Sequence, residues 1–381
     1  MRDKEVSIKT TRRPKTTLKD VAKEANVSST TVSLVLKDNE TSRVGAETRK
    51  RILEIAKRLS YRPNFAARAL LKQECYTLGL VITTLVNPFY SEISQDIIAR
   101  CKEIGYSVII SSVRGGIEDE RRSVQDLMDR GVDGLIICSA HEKDPVVSDL
   151  IQFGVPFILA LRGVKQNMGD PPVDFIVVDN KRGGYIAVKH LLQMGNRRIA
   201  IITGDQGTLT GKHRLQGSLA AFKANGVMPC QELIKIGDFY QDCGYRLTGE
   251  LLREKDRPTA IFAHSDHMAV GVLERLYREG ISVPEDMAVI GFDDIEMGRL
   301  PGVDLTTVTQ KKAIMGRMAV DNLIAKIRGE SSYISTRIIL DPVLIVRRSC
   351  GFHLPGNGYE LPLKKGQEEI VLDGSFNLKG I

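Results

Sequence analysis

Residues 17–72 constrain the fold of this chain most, because their pattern predicts short helices joined by a tight turn. Thr17 followed three residues later by Asp20 is a capping-box pattern that predicts a helix start. Apolar residues recur at helical spacing on both sides of Asn26, a residue that tolerates the left-handed conformation of a turn. Ser28 offers a second N-cap. Two such helices match the helix-turn-helix, whose second helix enters the major groove of DNA.

The charge of the chain is concentrated on the same segment. Residues 1–72 hold 18 Lys and Arg against 8 Asp and Glu, a net charge of +10, whereas the other 309 residues hold 36 against 39, a net charge of −3. Neutralising DNA phosphates requires such a local basic excess. The alternative, a solvated basic tail, explains the charge but not the helix pattern. Double-stranded DNA is therefore the predicted partner.

Several classes of protein are disfavoured by the composition. No window approaches the ~18 consecutive apolar residues of a membrane span, and the polar N-terminus has no hydrophobic signal region. Six cysteines are scattered without a CxxC pair or zinc spacing. We therefore expect a cytoplasmic protein with free thiols, no membrane partner, no metal and no cofactor.

The rest of the chain has an α/β pattern. From Leu78 onward, short apolar runs alternate with helical segments, which is typical of parallel strands buried on both faces of a doubly wound sheet. The length allows two such lobes that divide near residues 162–180, with 305–345 returning across both.

The predicted boundaries are 1–15 for a disordered basic extension, 16–62 for an all-α helix-turn-helix domain, 63–75 for a hinge helix that folds against a partner, 76–350 for a two-lobed effector-binding and dimerisation domain, and 351–381 for a polar tail.

One polar cluster invites a catalytic interpretation. His264, Ser265, Asp266 and His267 could suggest a hydrolase or a metal site. They could equally form a strand-to-helix turn in which Ser265 or Asp266 caps the next helix. No GxSxG surrounds the serine and no HExxH surrounds the histidines, so the sequence predicts no catalytic residues here.

Other polar residues at predicted strand ends leave their roles open. Arg214 could clamp a carboxylate or sugar hydroxyls, or form a surface ion pair. Asp293 and Asp294 could serve acid–base chemistry, bind a cation, accept hydrogen bonds from a polyhydroxy ligand, or cap a helix. Phe239 could stack on a ligand ring or belong to the core.

Longer phrases of the chain resemble the LacI/GalR family of lactose-repressor-type bacterial transcription regulators. The resemblance covers residues 16–350 and is carried by TLKDVAKEANVSSTTVSLVL, ETRKRILEIAKRLSYRPNFAARAL, VVDNKRGGYIAVKHLLQMGNRRIAIITG, PTAIFAHSDHMAVGVL and VPEDMAVIGFDDI. It implies a helix-turn-helix headpiece and a two-lobed ligand domain similar to periplasmic sugar-binding proteins, with the effector between the lobes.

The resemblance also implies roles for individual positions. Ser29, Thr30 and Leu34 match base-contacting positions of the family, Asn64 the hinge-helix start, and Leu70 the leucine inserted into the minor groove. Phosphate-contacting or capping positions are matched by Thr17, Ser28, Thr31, Ser33 and Lys37. Effector-lining positions are matched by Phe89, Tyr90, Arg162, Arg214, Phe239, Ser265, Asp266, Asp293 and Gln310.

The chain departs from the family pattern at three of these places. Many members have Arg at the position of Leu34, Asp at the position of Leu161 and Asn at the position of Ser265. The first difference removes a contact that reads guanine, and the other two alter the usual hydrogen bonds to a monosaccharide.

The sequence thus predicts a homodimeric regulator, most often a repressor in this family, that binds a palindromic operator and responds to a sugar or sugar derivative. A solute-binding protein is one alternative, against which the DNA module argues. An α/β enzyme acting on a sugar-like substrate is another, for which no complete catalytic arrangement is present.

Overall fold

The computed structural model describes residues 16–36, 44–61, 75–114, 116–167, 169–330, 336–352 and 370–372. The chain divides into two compact units, Met1–Cys75 and Tyr76–Ile381. None of the helices in the described ranges is long and apolar enough to span a membrane. All six cysteines are free thiols.

The first unit contains helices α1 (Leu18–Glu24), α2 (Ser29–Leu36) and α3 (Ala46–Arg58). The predicted capping box is confirmed, because the side chains of Thr17 and Asp20 each accept a hydrogen bond from the other's backbone N–H. The predicted left-handed turn is also present, at Asn26. The three helices enclose a small apolar core of Val21, Ala22, Ala25, Val32, Val35, Ile52, Ile55 and Ala56.

The second unit alternates strands and helices as the apolar runs predict. Its first sheet uses β1 (Thr77–Ile82), β2 (Ser107–Ser112), β3 (Gly134–Ile137), β4 (Phe157–Ala160) and β5 (Phe175–Val178). The helices among these strands are α4 (Pro88–Glu103), α5 (Ile117–Asp129) and α6 (Pro145–Gln152).

The second sheet follows along the chain. Its strands are β6 (Ile199–Ile202), β7 (Ile234–Lys235), β8 (Ala260–Ala263), β9 (Ala288–Asp293) and β10 (Thr306–Thr309). The helices in this part are α7 (Asn180–Gln193), α8 (Leu209–Ala224), α9 (Gln241–Leu251) and α10 (Asp266–Arg278). The remaining elements are α11 (Lys312–Ile327), β11 (Arg337–Leu340), β12 (Val343–Val346) and β13 (Ile370–Leu372).

Each sheet is the centre of one lobe. The first sheet has the order β11-β5-β4-β3-β1-β2 and is parallel throughout. The second has the order β13-β12-β10-β9-β8-β6-β7, in which β12 runs antiparallel to both of its neighbours, β10 and β13. In the first lobe α4 and α11 pack together, as do α5 and α6; in the second, α7 packs with α8 and α9 with α10. The predicted doubly wound, two-lobed α/β class is confirmed.

The chain crosses between the lobes three times. It leaves the first sheet after Val178, inside the predicted range, and returns to the first lobe with α11, which packs on α4. It then passes from β11 in the first sheet to β12 in the second. Within the segment predicted as a tail, Phe352 is buried and the backbone of Ile370–Leu372 pairs with β12. That pairing satisfies hydrogen-bonding groups on the outer edge of β12.

Candidate nucleic-acid interface and effector cleft

Helix α2 presents to solvent one face made of three hydroxyl side chains and one leucine. Thr30 and Leu34 are exposed and lie one turn apart, and Ser29 and Ser33, also one turn apart, are half-exposed beside them. The opposite face is buried. The structure therefore places these four predicted DNA-contacting residues on one accessible helix face, as insertion into a groove requires.

The start of α2 is held by its predicted cap. The hydroxyl of Ser28 accepts a hydrogen bond of 3.1 Å from the backbone N–H of Thr31 and lies 2.9 Å from the Thr31 hydroxyl. Thr17 occupies the equivalent position at α1 and is exposed. The predicted contacts at Lys37, Asn64 and Leu70 lie outside the described residues.

Two adjoining cavities lie between the lobes of the second unit. The larger has a volume of about 170 Å³ and the smaller about 30 Å³, and both are lined by Asn87, Tyr90, Arg162 and Phe239. In this arrangement of the lobes the smaller one has room for a water or two. Eight of the nine predicted effector residues line it: Phe89, Tyr90, Arg162, Arg214, Phe239, Ser265, Asp293 and Gln310.

Arg214 is fixed in the wall of the smaller cavity. Its guanidinium lies 3.5 Å over the ring of Phe292, donates to the Asn180 side chain at 2.8 Å and donates to the backbone carbonyl of His264. Burial lowers the pKa of Arg214 to about 10, so the side chain remains charged at neutral pH. The surface ion pair considered from the sequence is excluded, because only 2% of this residue is exposed.

Arg162 comes from the other lobe. It follows β4, and its guanidinium donates to the carbonyl of Ser139 at 3.2 Å and to the Tyr90 hydroxyl at 3.4 Å. The ring of Phe239 lies 5.8 Å from both the Arg162 and the Arg214 guanidinium carbons. The half-buried Phe239 therefore presents an aromatic ring to the cleft between two cations.

A glycine makes room for this ring. A Cβ atom at Gly204 would lie 1.8 Å from the Phe239 ring, so any side chain there would displace it. Phe239 itself has a φ of 72°, a conformation that is strained for a bulky residue.

The two aspartates at the end of β9, Asp293 and Asp294, have different partners. Asp293 lines the cavity and accepts a hydrogen bond of 2.6 Å from Gln310, with Arg214 3.7 Å away. Burial raises the pKa of Asp293 to about 7, although the charge of Arg214 opposes the rise. Asp294 instead pairs with Arg347 at 2.7 Å. The two carboxylates therefore do not form a joint acid–base or cation site.

Asp266 is a correction to the predicted effector set. It does not line the cavity, because its oxygens accept hydrogen bonds from the Thr307 hydroxyl at 2.6 Å and from the backbone N–H of Ile295 at 2.9 Å. Ser265 lines the cavity and also caps α10 through Met268 N–H, which confirms the capping alternative. Asp266 thus positions the wall behind the site.

Several cavity residues were missed by sequence reasoning. Asn87 and Thr210 line the smaller cavity, and each lies near the start of a helix that follows a strand, which is the signal that could have identified them. Asn180 was also missed, and it orients Arg214.

A titratable cluster was missed as well. Nδ1 of His141 lies 3.7 Å from Glu120 and 3.8 Å from Asp144, a spacing that could hold a metal ion. Asp144 and Glu120 raise the pKa of His141 to about 9. At neutral pH His141 is therefore protonated, and the attraction between its imidazolium and the two carboxylates explains why the three side chains lie so close together. His264 and His267 belong to no metal-ligand group within the described ranges.

Polar contacts bridge the lobes at the rim of the cleft. Glu142 of the first lobe forms an ion pair with Lys212 of the second, and its N–H donates to the carbonyl of Gly207 at 3.2 Å. Glu92 accepts from the backbone N–H of Glu296 at 2.9 Å. A rearrangement of the lobes would break these contacts.

Comparison with known proteins agrees with this geometry. The family model for bacterial regulatory proteins of the lacI family matches residues 17–64, and the periplasmic binding protein-like domain matches residues 188–350. The HTH-type transcriptional repressor PurR of Haemophilus influenzae (strain PittEE) is 33% identical over 338 residues, which cover 87% of this chain and 98% of PurR.

Solved structures give the same result. The transcriptional regulator CelR–cellobiose complex has a TM-score of 0.65 and 33% identity, covering 88% of this chain and 100% of that one. The lac repressor dimer bound to operator and the anti-inducer ONPF has a TM-score of 0.76 and 28% identity, covering 88% and 99%. These proteins regulate transcription and are not enzymes, in agreement with the expectation from the sequence. By its helix-turn-helix, its two-lobed domain and its likeness to these repressors over most of its length, this chain belongs to the LacI family of bacterial transcription regulators.

Proposed function

We propose that the protein is a cytoplasmic repressor that binds a palindromic operator as a homodimer. The observation that carries the proposal is the exposed face of α2, on which Thr30 and Leu34 project from a helix whose other face is buried. A two-fold-symmetric dimer places one such helix on each half-site, so the operator has matching symmetry. The lac repressor structure, which is a dimer on its operator, supports the same arrangement here.

A small polar ligand in the inter-lobe cleft controls operator binding in this proposal. Arg162 from the first lobe and Arg214 from the second supply donors, Asp293 and Gln310 supply acceptors, and Phe239 supplies a flat apolar face. This set suits a compact ring-shaped molecule, a sugar or sugar derivative. Because the lining comes from both lobes, the ligand stabilises one lobe arrangement over another and thereby shifts the regulator between two states. The cellobiose complex of CelR supports a carbohydrate class.

Selection from random DNA tests the first part of the proposal. The full-length protein should enrich a two-fold-symmetric site, and its affinity for that site should fall steeply with salt because each phosphate-bound Lys or Arg releases a counterion. Enrichment of asymmetric sites, or of none, contradicts the proposal. A ligand screen by thermal shift then tests the second part, because a ligand that binds only the folded protein raises Tm.

A further inference from the structure

Arg162 is a buried cation without a counter-ion among the residues that the structure describes. Only 8% of the residue is exposed, and its two hydrogen bonds go to neutral acceptors, the Ser139 carbonyl and the Tyr90 hydroxyl. Among the described residues, no carboxylate oxygen lies within 4.0 Å of a guanidinium nitrogen of Arg162, the distance that defines an ion pair. The preceding residue is the apolar, buried Leu161.

Four carboxylates line the two cavities, and each is engaged elsewhere; Asp205 and Asp238 accept from the backbone N–H groups of Gly207 and Tyr240. Glu120 accepts a hydrogen bond from the Ser139 hydroxyl and faces the protonated His141. Asp293 accepts from Gln310 and faces Arg214, and its pKa of about 7 leaves it partly protonated at neutral pH. The smaller cavity is thus lined by two guanidinium groups and one carboxyl group.

An unpaired buried charge is costly, because the interior does not replace the water that the ion loses. A guanidinium has five N–H donors in a planar fork that fits a carboxylate or phosphate, and Arg162 uses only two of them here. The unsatisfied group faces the cleft that the proposed effector occupies.

We infer that the effector carries an anionic group, a carboxylate or a phosphate, and that Arg162 binds it. This inference rests on the proposed function, since it describes the ligand of that same cleft. An anion at this place lies between cations of both lobes, because Arg162 follows β4 and Arg214 lies on α8. It therefore attracts the two lobes toward one another, whereas the ring of Phe239 beside both cations accommodates the apolar face of the same ligand.

Matched pairs of neutral and anionic ligands test the inference. Thermal shift of the full-length protein is measured at constant ionic strength with glucose against glucuronate, galactose against galacturonate, and glucose against glucose 6-phosphate, with acetate and inorganic phosphate as small probes. At least one anion should raise Tm where its neutral counterpart does not. The uronates and acetate report on a carboxylate, and the two phosphates on a phosphate. A neutral sugar that raises Tm as much as its anionic partner overturns the inference, and so does a panel in which no anion raises Tm.

Substitutions at position 162 decide whether the arginine is responsible. Arg162→Gln should weaken binding of the responding anion at least about 30-fold, since breaking a buried hydrogen-bonded charge pair has at least that effect. The anion affinity of Arg162→Lys should lie between those of the wild type and Arg162→Gln, because lysine keeps the positive charge and lacks the planar fork of donors. Arg130→Gln is the matched control, an exposed arginine of the same lobe that lines neither cavity, and should bind as the wild type does. Equal loss in the Arg130 and Arg162 variants overturns the inference.

Two further measurements distinguish a structural role of Arg162 from anion binding, and a failure of the inference from a failure of the proposed function. The Tm of ligand-free Arg162→Gln should equal or exceed that of the wild type, because the substitution removes an unpaired buried charge. A large fall in that Tm together with unchanged anion binding assigns Arg162 a structural role and overturns the inference. Fluorescence anisotropy with the selected operator reports on the proposed function independently. A protein that binds no operator contradicts that function, while an Arg162-dependent anion response still supports the inference.

Discussion

Substituting Gly184 by Ala tests whether a close helix contact positions Arg214. Gly184 lies on α7, and a Cβ atom there would be 2.1 Å from the backbone carbonyl oxygen of Arg214 on α8. Gly217 on α8 makes the reciprocal approach, with an ideal Cβ 1.9 Å from the carbonyl oxygen of Lys181. A carbon and a carbonyl oxygen need about 3.3 Å, so the helices must separate by about 1 Å to accept the methyl group.

The expected loss of stability follows from two opposing effects. Ala is favoured over Gly in a helix interior by about 1 kcal/mol. Overpacking costs about 3 kcal/mol where the atom in the way cannot rotate aside, as a backbone carbonyl cannot. The net destabilisation is about 2 kcal/mol, which lowers Tm by about 3–4 °C for the two-lobed domain, at an unfolding entropy of about 2.1 cal/mol/K per residue. The shift of α8 also moves the Arg214 guanidinium away from Asn180 and the cleft, so the ligand response should fall with Tm.

Differential scanning calorimetry and ligand titration measure both effects. Gly163→Ala is the matched control, because a Cβ there meets nothing closer than Val177 at 4.0 Å. The control should keep the wild-type Tm within about 1 °C, because a substitution that meets no neighbour changes stability by about 0.5 kcal/mol or less. Equal Tm values and equal ligand responses for Gly184→Ala and Gly163→Ala would refute the proposed role of the helix contact.

Three other predictions concern DNA reading and pH. Leu34→Arg should shift preference toward guanine at one symmetric position per half-site by ~1–3 kcal/mol, measured by competition between operator variants. Leu70→Ala should reduce operator affinity and bend angle in a circular-permutation gel assay while ligand binding is retained. Because burial raises the pKa of Asp293 to about 7, the folded protein retains a proton that the unfolded chain loses above about pH 4. The contribution of Asp293 to stability should therefore fall as pH rises from 4 to 7, so the Tm of the wild type relative to that of Asp293→Asn should fall across that range.

Local patterns determined much of this protein without reference to its tertiary structure. The capping box at Thr17 and the turn at Asn26 are decided by residues within one or two turns of each other, and both are present as predicted. The apolar runs that form the buried strands also carry their own signal, since a parallel sheet covered on both faces needs side chains that are apolar on both sides.

The composition of the cleft could be predicted only in part. Polar residues that follow strands were the right candidates, because the carboxyl ends of parallel strands converge on one edge of a sheet. Their individual roles depend on partners far away in the chain. Arg162 meets Tyr90 across 72 positions, and Asp266 meets Thr307 across 41. No local pattern reports such contacts.

The tertiary structure alone decided which charges are paired. Two residues adjacent in the sequence have different surroundings, since Asp293 faces the cavity while Asp294 binds Arg347. A strand end points successive side chains in different directions, so the neighbouring lobe and loops determine what each one meets. The sequence by itself determined the helix-turn-helix, the two α/β lobes and the polar residues that could line a cleft. Packing determined that Arg214 is held in place and that Arg162 has no counter-ion within the described part of the chain, because burial and pairing are properties of the assembled fold.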